Sequence, residues 1–140
     1  MTPRWYDLAQ KDLWTKEVKG PASNPVISGY FTQATGKKYG DEVSWCAAFV
    51  GAMLEKAGVR SSRSLLARSY LRWGEKLALP REGCIVVLKR GEPWQGHVGF
   101  FVRQNRDGTI MLLGGNQSDQ VNYRNFSKRL VIGYRWPKGD

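Results

Sequence analysis

No apolar run in the 140-residue chain is long enough to span a bilayer, and the N-terminal "MTPRWYDLAQKDLW" carries charges every few residues without a stretch of signal-peptide length. The chain is therefore expected to be made in the cytoplasm without a signal peptide, and to reach any other compartment by another route. Cysteine occurs twice, at Cys46 and Cys84, too few for a disulfide scaffold, and both read as thiols. There is one histidine, His97, and no CxxC or HxxxH pair, so neither a structural zinc nor another cofactor is expected. The strings GxxxxGK[ST], GxGxxG and GxSxG are missing, which weakens nucleotide-binding and serine-hydrolase readings. Acidic side chains are scarce, 12 against 22 Lys and Arg, and the net charge of +10 points to an anionic partner such as nucleic acid, an acidic membrane surface or an acidic wall polymer.

With 41% hydrophobic residues the chain is rich enough for an ordinary packed core, and its length suits one domain. Thr2 as cap and Pro3 as opener predict a first helix with Trp5, Leu8, Ala9 and Leu13 on one face, stopped at Gly20 and Pro21. A loop-rich stretch is expected from there to about Gly40. The best-defined helix starts at Ser44 as N-cap, carries Cys46, Phe49, Val50, Met53, Leu54 and Ala57 on one stripe, and closes at Gly58. A third, basic helix is expected over residues 64–76. After Pro80 come short strand-type runs, "CIVVL", "HVGFFV", "TIMLL", "QVNYRNF" and "VIGYRW", separated by Gly, Asn and Asp turns. Helices followed by strands predict an α+β domain: residues 1–140 as one catalytic unit, about 1–77 helical and about 80–137 an antiparallel sheet.

A cysteine hydrolase needs a thiolate, an imidazole that accepts and returns a proton, and a polar group that orients the imidazole. Cys46 falls in the first turn of its helix, where unpaired N–H groups and the macrodipole stabilise negative charge. His97 opens one strand and Asn116 ends the next. If residues 105–108 form a four-residue loop, Gln104 lies opposite Thr109 and His97 opposite Asn116. A two-residue turn at Asp107 and Gly108 shifts the pairing by two and keeps both on one face; an odd-length loop separates them. Taken singly, each residue has a plainer reading: Cys46 as core, His97 as a structural or exposed side chain, Asn116 as a turn residue. Their order and geometry together make a working triad.

The strings "WCAAFVGAMLEKAG", "ARSYLRWG", "GCIVVLKRG", "GHVGFF", "LLGGNQSD" and "VIGYRWP" together resemble the CHAP and NlpC/P60 superfamily of papain-like cysteine peptidases, nearest its small single-domain phage and prophage members. The resemblance covers most of the chain. It implies hydrolysis of an amide bond in bacterial peptidoglycan, with Cys46 as nucleophile, His97 as base and then acid, Asn116 as the orienting residue and the Cys46 N–H on the oxyanion. One departure stands out. Similar sequences carry an acidic residue where this chain has Cys84, which reads as a buried strand thiol or, alternatively, as a redox partner of Cys46.

Trp45, Tyr70, Trp73, Trp94 and Gln117 are candidates for substrate binding, although aromatic side chains more often serve the core than a cleft. The expected role is that of a monomeric phage endolysin acting in the periplasm on Gram-negative wall, with anionic outer-membrane lipid as a second partner. An injected antibacterial amidase and a tail-associated lysin are alternatives. A basic nucleic-acid-binding protein and an inactive wall-binding module are rivals of another kind. No nucleic acid is expected, because no recognition motif accompanies the charge. The muramoyl–L-alanine bond, the D-glutamyl–diaminopimelate bond and the peptide cross-link all stay open as the bond cut.

Overall fold

The computed structural model describes residues 2–18, 24–37 and 44–139, which form three α-helices, a short 3-10 segment at Ala67–Arg72, another at Lys128–Leu130, and six strands. The helices come first and the strands afterwards, an α+β arrangement whose sheet is antiparallel throughout. The expected stop at Gly20 and Pro21 and the loop end near Gly40 lie outside the described residues.

Helix α1 (Arg4–Lys11) follows an extended Pro3 and buries Trp5, Tyr6 and Ala9, with Leu8 and Leu13 half-buried. It ends well short of Gly20. Asp12 leaves the helix to accept a hydrogen bond from the Tyr30 hydroxyl at 2.7 Å, and Trp14 adopts φ +75°, which an α-helix does not tolerate. Residues 14–18 then run beside residues 119–121, bridged antiparallel at Lys16 and Gln120: Trp14 N–H donates to Val121 O at 2.7 Å, Val121 N–H to Thr15 O at 2.8 Å, and Glu17 N–H to Asp119 O at 2.8 Å.

The stretch expected as loop contains helix α2 (Pro25–Thr35). Asn24 caps it by accepting from Val26 N–H at 2.8 Å, Pro25 occupies the first turn, and Gly36 closes it at φ +78°. Ile27, Tyr30, Phe31 and Ala34 form its buried stripe. Helix α3 (Cys46–Lys56) packs on α1 and α2 on one side and on the sheet on the other, so every residue from 46 to 54 is buried. Its cap falls on Trp45, one residue later than expected, and Gly58 at φ +80° ends it as expected.

The helix expected over residues 64–76 is reduced to the 3-10 turn at Ala67–Arg72. Trp73 is extended and Gly74 sits at φ +62°, where an added Cβ would fall onto Trp136 O, so no side chain fits. The chain passes directly into strand β1 (Glu75–Lys76), which pairs with the last strand. The other strands are β2 (Ile85–Lys89), β3 (Gly96–Gln104), β4 (Ile110–Gly114), β5 (Asn122–Phe126) and β6 (Val131–Trp136), in the order β1-β6-β2-β3-β4-β5. Central β2 and β3 are apolar on both faces, and α3 lies across β3 and β4.

Candidate active site

Cys46 is the first residue of α3, and its thiol faces His97 on β3. Burial alone would push the thiol up. The hydrogen bond and charge of His97, the backbone N–H of Val98 and the Ser44 hydroxyl outweigh it, and the thiol lies below its ordinary value of 9.0. For His97, burial opposes protonation, but the bond and charge of Cys46 and the bond to Gln117 raise the imidazole above its ordinary 6.5. The two shifts run toward each other, as a thiolate–imidazolium pair requires.

The imidazole is held from its far side by Gln117. Gln117 Oε1 lies 2.9 Å from His97 Nε2, and both residues are buried, at 2% and 6% exposure. The amide cannot be turned round without loss. Its Nε2 donates to Asn122 O at 2.9 Å and to Asn122 Oδ1 at 3.0 Å, both acceptors, which leaves Oε1 for the histidine. Gln117 therefore fixes the tautomer: Nε2 carries a proton that it donates to Oε1, and Nδ1 is the nitrogen left for the thiol proton. Phe126 packs on the ring, with centroids 5.3 Å apart.

Asn116 was expected opposite His97 but its amide reaches Ser44 Oγ instead, at 3.4 Å. The hairpin explains the difference. Its loop has the odd length, residues 105–109, with Asn105 N–H bonded to Thr109 O at 2.8 Å, and Gln104 faces Ile110. A bulge between Phe101 and Arg103 moves the register back by one, so Phe100 faces Leu113, the alignment that the four-residue loop implied. The β3–β4 pairing ends at Phe100 and Leu113, and β4 itself ends at Gly114. Asn116, Ser118 and Asp119 all take positive φ, and this left-handed turn swings Gln117 rather than Asn116 onto the imidazole. Two glycines admit the turn: a side chain at Gly114 would fall onto the Gln117 amide, and one at Gly115 would lie 2.7 Å from Phe49 Cβ and 2.8 Å from the Trp45 ring.

A cleft of about 350 Å³ opens over Cys46, lined among others by Glu17, Leu65, Leu66, Trp94 and Asn116. A second hollow of about 420 Å³ adjoins it on the His97 side, with Arg90, Asn116 and Asp119 shared between the two. Of the aromatic candidates only Trp94, 65% exposed, stands on the cleft wall. Trp45 is fully buried, stacked on Tyr30 and bonded through Nε1 to Glu17 at 3.2 Å. Tyr70 is also core, and Trp73 donates to Arg60 O at 2.9 Å away from the cleft. Glu17 and Arg90 are cleft residues that sequence reasoning did not single out; isolated charges in a basic chain carry no local signal.

Cys84 is buried and free, and burial pushes its thiol up to about 12. It lies beside Phe101, where Phe101 N–H donates to Cys84 O at 2.8 Å, whereas Leu88 is the β2 residue that faces His97. Four strand residues, about 13 Å, separate those levels, and a disulfide needs Cα atoms within about 7 Å. Both thiols are free.

A helix-start cysteine facing a strand histidine, with an amide behind the histidine and an antiparallel sheet beneath, defines the papain-like class of cysteine–histidine hydrolases. Within that class, the family model for the CHAP domain matches residues 38–116, more than half of the chain, and the chain belongs to the CHAP domain family. No curated protein matches it. CHAP domains are cysteine- and histidine-dependent amidases or peptidases, and membership makes this chain a peptidoglycan hydrolase of that general kind.

Proposed function

We propose that the protein cleaves an amide bond of the cell-wall peptide with Cys46 as nucleophile, His97 as general base and acid, and Gln117 as the residue that orients the imidazole. The observation that carries this reading is the continuous chain from the Cys46 thiol through the imidazole to the Gln117 amide, closed in on its flanks and open at the cleft. The thiolate attacks the scissile carbonyl, and the oxyanion of the tetrahedral intermediate takes a hydrogen bond from the Cys46 N–H. His97 Nδ1 then gives its proton to the departing amine, leaving an acyl group on Cys46. Water, deprotonated at the same nitrogen, releases it.

We further propose one monomeric catalytic domain acting on Gram-negative wall as a phage or prophage endolysin. The likeness of its motif strings to small phage and prophage enzymes supports this setting, and the charge of +10 suits an anionic envelope. An injected amidase or tail lysin would use the same chemistry.

Digestion of purified Gram-negative sacculi under reducing conditions tests the reading. Native protein is expected to release muropeptides that mass spectrometry identifies, and Cys46→Ala to release none. Release by both proteins, or by neither, would overturn it.

A further inference from the structure

The two hollows on either side of the Cys46–His97 pair differ in charge, and the chemistry assigns each a half of the substrate. In acyl transfer to a thiolate, the imidazole hands its proton to the departing amine, so the amine half occupies the His97 side and the acyl half the side of Leu65, Leu66 and Trp94. The His97 side is the basic one. Arg90, just past the end of β2, lines both hollows, whereas Arg124 on β5 lines the His97 side alone and Glu17 the other side alone. Arg124 is fixed there: its Nη1 donates to Ser118 Oγ at 2.8 Å, and the guanidinium lies 5.9 Å from the centre of the Phe126 ring that packs on His97. Asp119 shares the rim, yet among the described residues neither arginine forms an ion pair.

Two guanidiniums that have no carboxylate partner among the described residues, lining one hollow beside the point where an amine departs, match a carboxylate on the departing group. We propose that Arg90 and Arg124 select substrates whose leaving amine carries a free carboxylate on the carbon next to the scissile nitrogen. This rests on the hydrolase reading above and narrows it. The muramoyl–L-alanine bond does not qualify, because the alanine carboxyl is itself tied up in the next peptide bond. The D-glutamyl–diaminopimelate bond qualifies only where the stem ends at diaminopimelate. The cross-link to diaminopimelate qualifies always, since the carbon bearing the scissile nitrogen keeps its carboxylate. The cross-link is therefore the bond this site favours. A bound carboxylate also acts on the chemistry: burial and the Arg90 charge both oppose protonation of His97, and an anion against Arg90 relieves the second at the moment the proton is needed.

The test uses two soluble cross-linked stem-peptide dimers, one with the free carboxylate beside the scissile nitrogen and one with a carboxamide there. Native enzyme is expected to show kcat/KM roughly 10- to 100-fold higher for the carboxylate dimer, and the ratio is expected to fall toward one in the Arg90→Gln/Arg124→Gln variant, whose substitutions are on exposed side chains. Equal rates on the two dimers, a ratio unchanged in the variant, or cleavage of sacculi with neither dimer cut would overturn the proposal and leave the hydrolase reading standing. Calorimetric titration of Cys46→Ala with the same dimers separates the opposite case. Tighter binding of the carboxylate dimer, lost when both arginines are replaced, supports the site even if the native protein hydrolyses nothing; equal affinity refutes it.

Discussion

Gln117 and Asn116 are neighbours that the fold sends in opposite directions, and the consequence is specific. With its Nε2 spent on Asn122, Gln117 can only accept from His97, which keeps the imidazole in one tautomer and one orientation. Gln117→Ala removes that acceptor and is expected to lower kcat/KM by roughly 10- to 100-fold while the protein still folds. Asn116→Gly, which suits the residue's φ of +57°, is expected to cost less than Gln117→Ala. Steady-state kinetics on soluble muropeptides check both, and the reverse ranking would return the orienting role to Asn116. At this scale the sequence made Cys46 and His97 legible, because a helix stripe and a strand run place them directly. It did not separate Asn116 from Gln117, since the choice depends on where β4 stops and on three left-handed residues that no local pattern marks.

Among the elements, the strands were legible as β-branched and aromatic runs between turn residues, and α3 as a stripe closed by glycine. Helix α2 was hidden by its composition. Ser, Asn, Pro, Gly and Thr suggest a loop, but Asn24 and Pro25 are its cap and first turn, and the spacing of Ile27, Tyr30, Phe31 and Ala34 is helical. The hairpin register was obscured in another way: an odd-length loop and a bulge cancel, and neither can be seen without the other. The loop that follows β4 lies against α3 so closely that Gly115 has no room for a methyl group between Phe49 and Trp45. Gly115→Ala is expected to destabilise the fold by about 1–3 kcal/mol through overpacking. Thermal unfolding measures that cost, and a hydrolysis rate falling further than the loss of folded protein accounts for would show the displaced Gln117. An unchanged Tm would contradict the packing described.

For the molecule as a whole, the basic charge was plain in the composition, but its division was not. The fold brings Arg124, from the middle of β5, to the His97 side and Glu17, from the N-terminal segment, to the Cys46 side, with Arg90 at the end of β2 lining both. That segment, residues 14–18, is bonded to the loop carrying Gln117, so the start of the chain helps to hold the site near its end. The surplus of cations acts at longer range. Exposed charges are screened over about 10 Å at 0.1 M salt, so release of fragments from anionic sacculi is expected to fall several-fold between about 50 mM and 300 mM salt, while hydrolysis of small soluble muropeptides changes less. Equal salt dependence for both substrates would remove any role for the net charge in reaching the wall.

The reactive state of Cys46 is open to direct measurement by the rate of alkylation against pH, followed residue by residue, with wall hydrolysis assayed on the same samples. Burial alone would raise the thiol, but His97, Val98 N–H and Ser44 bring it below 9.0, so the thiolate persists at pH values where an ordinary thiol is protonated. His97, raised above 6.5 by Cys46 and Gln117 against the effect of burial, keeps its proton further up the scale. Cys46 is therefore expected to react at neutral pH and below, with hydrolysis lost in step, and hydrolysis is expected to decline at higher pH as His97 deprotonates. Cys84, pushed up to about 12 by burial, is expected to stay unlabelled and serves as the internal control. A Cys46 that reacts only as the pH approaches that of a free thiol, or whose alkylation leaves hydrolysis intact, would contradict the thiolate–imidazolium site.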